Sequence, residues 1–144
     1  VNTGKGCHLD ANQVRQALDA LDLEPLDILF IENVGNLICP VGFDLGQNVK
    51  VGMFSVSEGD DKPAKHPYIV IESDLLLLNK CDLLPYVPFD LDRFKGDIRK
   101  LNSTVKLCEI SALKINQLNR WFEWLFTKQA GRDDPELAVQ NWCG

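Results

Sequence analysis

The chain has 144 residues, is 45% hydrophobic, and sets 15 Lys and Arg against 21 Asp and Glu for a formal net charge of −6. That is enough apolar side chain for one domain with a real core, and the acidic balance argues against nucleic acid as a partner, because binding a phosphate backbone rests on Lys and Arg. No apolar run approaches the roughly 20 residues needed to cross a bilayer, so no membrane segment is expected.

In chain order, Val14, Ala17, Leu18 and Leu21 recur at the spacing of one helix face and predict a helix over residues 10–21. Residues 26–31, Leu-Asp-Ile-Leu-Phe-Ile, read as a buried strand ending at Glu32, and residues 49–56 as another. Residues 67–73 fit either a strand or a turn. Residues 75–78 are four leucines, the near-continuous apolar run of a parallel strand covered on both faces. A helix over 89–101 and a strand over 105–110 follow. A last helix over 113–128 sets Ile115, Leu118, Phe122, Leu125 and Phe126 on one face, with Trp121 and Trp124 as packing residues. Gly131 is its stop, and residues from Asp133 onward read as a loosely attached tail. Strands alternating with helices or long loops predict an α/β fold, a parallel β-sheet flanked by helices, with the strand ends gathered on one edge.

Three runs fall at those strand ends. Asn79-Lys80-Cys81-Asp82 follows the leucine strand and has the N-K-x-D form by which GTPases read guanine. A carboxylate such as Asp82 accepts two parallel hydrogen bonds from guanine N1 and its exocyclic amine. Adenine offers no matching donor pair, so the unpaired acid penalises the wrong base. Glu32-Asn33-Val34-Gly35 follows the strand at 26–31, where an acid can hold a magnesium shell and a glycine N–H can sense a γ-phosphate. Ser111-Ala112 follows the strand at 105–110, where a backbone N–H can donate to the guanine oxygen. Each piece alone reads equally well as a strand-end acid, a turn or a helix cap. Their joint order favours nucleotide binding.

The phosphate cradle is not in the chain. A Gly-x-x-x-x-Gly-Lys-Ser/Thr loop would present backbone N–H groups and a lysine to the phosphates. Gly4-Lys5-Gly6 lacks both its upstream glycine and its hydroxyl residue. By itself this chain is expected to bind nucleotide poorly and to hydrolyse it negligibly. Because Val1 is not methionine and the first recognisable element comes immediately, it reads as a segment of a longer protein.

Cys7-His8, before the first helix, and Cys39-Pro40 offer two thiolates and an imidazole. Such a donor set suits zinc or nickel rather than magnesium or calcium. Adjacent Cys7 and His8 can converge on an ion only from a loop, and Cys39 must be brought to them by the fold. The alternative is a buried thiol at a turn and a polar residue at a helix start. His66 reads as a solvated loop residue, Cys108 as core and Cys143 as a free thiol. Five cysteines without close spacing, and no secretory pattern after Val1, predict reduced thiols and a cytoplasmic location.

Taken together, residues 3–11 (Thr-Gly-Lys-Gly-Cys-His-Leu-Asp-Ala), 30–40 (Phe-Ile-Glu-Asn-Val-Gly-Asn-Leu-Ile-Cys-Pro), 57–63 (Ser-Glu-Gly-Asp-Asp-Lys-Pro) and 78–85 (Leu-Asn-Lys-Cys-Asp-Leu-Leu-Pro) closely resemble the HypB family of hydrogenase nickel-incorporation GTPases. This is a metal-regulated, dimerising branch of the P-loop GTPases, and the resemblance runs from Val1 to about Lys128. It implies residues 1–129 as the carboxyl-terminal part of a GTPase domain whose phosphate loop lies upstream, and residues 130–144 as a tail. It marks Cys7, His8 and Cys39 as metal ligands, Glu32 and Gly35 as the second nucleotide motif, and Asn79, Lys80 and Asp82 as guanine readers. Cys81 departs from the usual aliphatic residue, at a position that points away from the base. The implied activity is GTP hydrolysis with Mg2+, coupled to insertion of nickel into [NiFe]-hydrogenase. Ni2+ or Zn2+ would occupy the metal site. The implied partners are a second copy of the protein, a small zinc-containing maturation chaperone and the hydrogenase large subunit. A related nickel-insertion GTPase for urease carries a similar 32–40 run, but the Thr-Gly-Lys-Gly-Cys-His start favours the hydrogenase side. A third reading is a non-catalytic metal-binding or dimerising module.

Overall fold

The computed structural model describes residues 9–33 and 44–130. Its centre is strand β2 (Leu75–Asn79), whose four leucines are all buried. β2 runs parallel to β1 (Val51–Ser55) on one side and to β3 (Lys106–Glu109) on the other, in the order β1-β2-β3. Leu78 lies opposite Phe54 and Glu109 in register. Alternate side chains of a strand point to opposite faces, so the leucine run supplies two cores at once. Leu76 and Leu78 pack with Phe54, Val70, Phe94 and Ile98, while Leu75 and Leu77 pack with Cys108, Ile110 and Trp124. The result is the expected parallel sheet covered by helices.

Helix α1 (Ala11–Leu18) starts at a capping box: Asp10 accepts from the Gln13 N–H, and the Gln13 side chain returns the bond to the Asp10 N–H. Short helices α2 (Lys62–Lys65) and α3 (Pro67–Glu72) follow β1, each with a proline in its first turn, where the missing N–H costs nothing. Helix α4 (Leu91–Leu101) is capped by Asp90 and buries Phe94 and Ile98, four residues apart on one face. Helix α5 (Asn119–Ala130) closes the other face through Trp124. No helix among the described residues is long and apolar enough to cross a membrane.

Several elements depart from their sequence expectation. Residues 26–31 form no strand, and Leu26, Ile28, Leu29 and Phe30 are exposed, Phe30 to 66%. A strand exists only where a neighbour's backbone pairs with it, and none of the three described strands runs beside this segment. Helix α1 stops at Leu18, leaving Leu21 exposed. Residues 67–72 are helix, neither strand nor turn. The β-branched Ile69, Val70 and Ile71 disguise it, and it ends where the Ser73 hydroxyl donates to the Ile69 carbonyl at 2.6 Å. A 3-10 turn, Ile115–Gln117, precedes α5, and Ile115, Phe122 and Phe126 are exposed. The packed side chains are instead Leu118, just before α5, and Trp121, Trp124 and Leu125 on it, with the two indoles stacked at 5.7 Å between centroids. Gly131, Cys143 and the rest of the tail at 131–144 lie outside the described residues.

Gly52 sets the distance between the sheet and α3. A Cβ there would meet Ser73 Oγ at 2.7 Å, Leu76 Cδ2 at 2.8 Å and Ile69 Cγ1 at 2.9 Å. Overpacking at such a contact costs about 1–3 kcal/mol, so Gly52→Ala should lower the urea midpoint accordingly without changing the slope. An unchanged midpoint would mean that α3 moves aside freely.

Candidate nucleotide-binding site

The chemistry-bearing side chains collect at the carboxyl ends of β2 and β3, the edge where open α/β sheets bind ligands. Hydrogen bonding between these strands continues past their last residues. Ile110 N–H donates to the Leu78 carbonyl at 2.8 Å, and Cys81 N–H donates to the Ile110 carbonyl at 3.0 Å. The loop after β2 is thereby held against Ser111 and Ala112.

Asn79, the last residue of β2, ties the two loops together. Its Oδ1 accepts the Lys80 N–H at 2.7 Å and the Ala112 N–H at 3.2 Å. Lys80 takes the left-handed conformation, φ 61°, alone among the described non-glycine residues. Asp82 lies in the 3-10 turn Cys81–Leu83, and its Oδ1 accepts the hydroxyl of fully buried Ser111 at 2.6 Å. That bond holds the Asp82 carboxyl below the ordinary carboxylate range, with Lys114 and Lys80 acting in the same direction. A carboxylate has about four lone-pair sites, so with one given to Ser111 it can still accept two parallel donors.

Cys81 turns inward. Its Sγ donates to the Leu78 carbonyl at 3.1 Å, and its side chain packs beside Leu83 and Leu84 on the first core cluster. Burial, then the nearby Glu109 charge, pushes its thiol up to about 11, so it is neutral at physiological pH. The position tolerates a thiol because the side chain is used for packing.

The remaining expected residues fall differently. Glu32 is exposed on a segment without regular structure. Its neighbour Asn33 accepts the Leu9 N–H on Oδ1 at 2.9 Å, linking positions 24 apart. Cys7, His8, Gly35 and Cys39 lie outside the described residues. Among the described residues no three His, Cys, Asp or Glu side chains gather as a metal site. His66 is half-buried at the junction of α2 and α3, and Cys108 is buried in β3.

Two residues were not singled out from the sequence. Lys80 Nζ donates to Ser57 Oγ at 3.2 Å, from the β2 loop to the 3-10 turn after β1. Asp60 accepts the Asp90 N–H at 2.9 Å and pairs with Arg93 at 3.4 Å, fastening the turn before α2 to the start of α4. Both belong to the Ser-Glu-Gly-Asp-Asp-Lys-Pro run, which was the available signal.

Comparison with known proteins agrees with this fold. The family model described as CobW/HypB/UreG, nucleotide-binding domain, matches residues 1–109. The hydrogenase maturation factor HypB of Escherichia coli K12 is 48% identical over 129 residues, covering 90% of this chain and 44% of that protein. The crystal structure of the hydrogenase maturation factor HypB from Archaeoglobus fulgidus superposes with a TM-score of 0.81 at 42% identity, over 87% of this chain and 66% of that one. That of HypB from Helicobacter pylori in complex with nickel gives 0.88 at 33% identity, over 92% of this chain and 63% of that one. The chain therefore spans less than half the length of the Escherichia coli protein. Its parallel sheet, its strand-end loops and these matches place the chain in the CobW/HypB/UreG nucleotide-binding family, among the HypB proteins.

Proposed function

We propose that the chain is part of a GTP-hydrolysing metallochaperone that supplies nickel during maturation of [NiFe]-hydrogenase. Asn79, Lys80, Asp82, Ser111 and Ala112 read the guanine base, and Glu32 and Gly35 respond to Mg2+ and the γ-phosphate. Cys7, His8 and Cys39 hold nickel or zinc. One observation carries the nucleotide reading: Asp82 and Asn79 are each bonded to the Ser111-Ala112 pair, so two runs separated in sequence form one preorganised edge. Membership among the HypB proteins supports hydrogenase over urease as the client. It also supports a nucleotide-dependent homodimer, a small zinc-containing chaperone and the hydrogenase large subunit as partners.

The metal reading draws support from the Leu9–Asn33 bond. Leu9 directly follows His8, and Asn33 lies within the second nucleotide motif, six positions before Cys39. The two runs that carry the ligands are therefore joined beside the residues that would sense a γ-phosphate. A shift of that motif would change the separation of the donors.

In the full-length protein, Asp82→Asn should turn the base preference from guanine toward xanthine, which presents a carbonyl in place of the amine. A charge-assisted bond supports roughly a tenfold or greater change in the GTP to XTP ratio. Competition binding of GTP, XTP and ATP measures it, and an unaltered GTP preference would remove Asp82 as the reader.

The Ser111 hydroxyl also sets a pH window. Reading guanine needs the ionised Asp82, whose carboxyl Ser111 depresses, so selectivity persists below the ordinary carboxylate range and is lost as pH falls through the lowered value. Ser111→Ala should move that loss to higher pH. A GTP-binding profile between pH 3 and 6 that is identical in wild type and mutant would exclude this role; the interval brackets the ordinary Asp value of about 3.9.

Metal and nucleotide should be coupled. Zinc and nickel titrations of the full-length protein, with GDP and with a non-hydrolysable GTP analogue, should give different affinities, and bound metal must shift GTP affinity by the same factor. Equal metal affinity in both nucleotide states would remove the coupling. Undiminished binding in Cys39→Ala and Cys7→Ala would remove the site.

A further inference from the structure

The segment at 26–33 leads into the motif proposed to meet Mg2+ and the γ-phosphate, and one of its rings reaches a helix. Phe30, two positions before Glu32, lies with its ring centroid 6.5 Å from that of Trp121 on α5, the planes tilted at 49°. That spacing falls within the range of favourable aromatic pairs. Phe30 is otherwise exposed, as are Leu26, Ile28 and Leu29 around it. A ring held so lightly can leave its partner at small cost.

The two indoles of α5 differ in how firmly they are held. Trp124 is buried among Leu75, Leu77, Cys108 and Ile110, and the Lys128 ammonium lies 5.5 Å from its ring centroid. Ile110 is the residue whose N–H and carbonyl extend the β2–β3 ladder to the loop that carries Asp82. Trp124 therefore belongs to the rigid body that presents the guanine edge. Trp121 is half-buried, stacks on Trp124 at 19° between planes, and meets Phe30. It stands where the fixed side of the molecule touches the lightly packed one.

We propose that the Phe30–Trp121 contact is a conformational switch that weighs GDP against GTP: the ring rests on Trp121 in one nucleotide state and leaves it in the other. This inference rests on the nucleotide reading above and adds a regulatory element to it. Glu32 follows Phe30 so closely that a shift of the γ-phosphate motif moves the ring. Trp121, backed by Trp124, is the fixed surface against which that shift is felt. Coupling of this kind travels through packed side chains that have two discrete arrangements. A ligand moves such an equilibrium only by its differential affinity for the two, and one aromatic pair supports roughly a two- to tenfold difference. Asp82 still sets which base is chosen, because the contact lies away from the base edge.

The test uses the full-length protein with GDP and a non-hydrolysable GTP analogue, and reads both affinity and tryptophan emission. Emission should differ between the two nucleotides in wild type, and that difference should vanish in Trp121→Phe. Phe30→Leu, which removes the ring from an exposed position, should change the ratio of GDP to GTP-analogue affinity by roughly two- to tenfold and leave the GTP to XTP ratio unchanged. Trp121→Phe, which keeps a ring, should retain most of the wild-type affinity ratio. Trp121→Leu should change the ratio as Phe30→Leu does, and the double mutant should change it no further, because the pair acts as one unit. A merely structural role would weaken both nucleotides equally, and that result overturns the proposal. So do a wild-type affinity ratio in Phe30→Leu and an emission that is the same in both nucleotide states; with guanine binding intact, only the switch then falls. If the full-length protein binds neither guanine nucleotide, the nucleotide reading itself fails and the switch with it.

Discussion

Two backbone hydrogen bonds carry the site: Ile110 N–H to the Leu78 carbonyl and Cys81 N–H to the Ile110 carbonyl. They extend the β2–β3 ladder beyond the strands and so fix the height at which the two following loops meet. Only then can the Ser111 hydroxyl reach Asp82 and the Ala112 N–H reach Asn79. The ladder is dependable because β2 is buried on both faces, where an unpaired peptide group would cost a full desolvation penalty. Burial of four consecutive leucines thus serves the position of a carboxylate several residues away.

The strain at the site sits beside its support. A non-glycine residue in the left-handed region costs on the order of 1–2 kcal/mol. Lys80 adopts it so that the chain turns sharply out of β2, sending Cys81 inward to the Leu78 carbonyl and placing Asp82 beside Ser111. Asn79 offsets that cost with a bond to the Lys80 N–H, using the same oxygen that holds Ala112. A glycine at position 80 would relieve the strain and lose the ammonium. The lysine keeps at this turn an ammonium that bonds Ser57 Oγ at 3.2 Å.

The legible parts of the sequence were those decided by short-range physics. Leu75 to Leu78 read as a parallel strand covered on both faces, and the helices expected over 10–21 and 89–101 do start beside the caps Asp10 and Asp90, whose chemistry acts over three residues. Asn79, Asp82, Ser111 and Ala112 were each identifiable from their strand ends, although the bonds joining them were not, since they span 29 and 33 positions. Residues 26–31 were misread for the complementary reason. Their composition is that of a strand, but a strand is a relation to a neighbour, and the apolar run stays exposed where none is paired with it. Residues 67–72 failed on propensity, because Ile69, Val70 and Ile71 look β-like until Pro67 and Ser73 bound the segment as a helix. Ser57 stood inside a recognisable run, but its bond to Lys80, 23 positions away, was not legible there.

The exposed segment at 26–31 bears on how the proposed metal and nucleotide sites communicate. It leads directly into Glu32 and Asn33, and Asn33 holds the residue that follows His8. Ile28, Leu29 and Phe30 make little use of the core, with Phe30 lying 6.5 Å from the Trp121 ring as a marginal contact. A segment with so little buried area resists displacement weakly, whereas the β2–β3 edge resists it strongly. In the proposed reading the base would then be bound on the rigid side of the molecule, and the γ-phosphate and the metal would be sensed on the compliant side. A ligand can shift an equilibrium only by its differential affinity for two arrangements, so the compliant side is where that difference has to arise. The Leu9–Asn33 bond ties the residue before the Asp10 cap to that same segment, which in the proposed reading is the physical condition for the two ligands to influence one another.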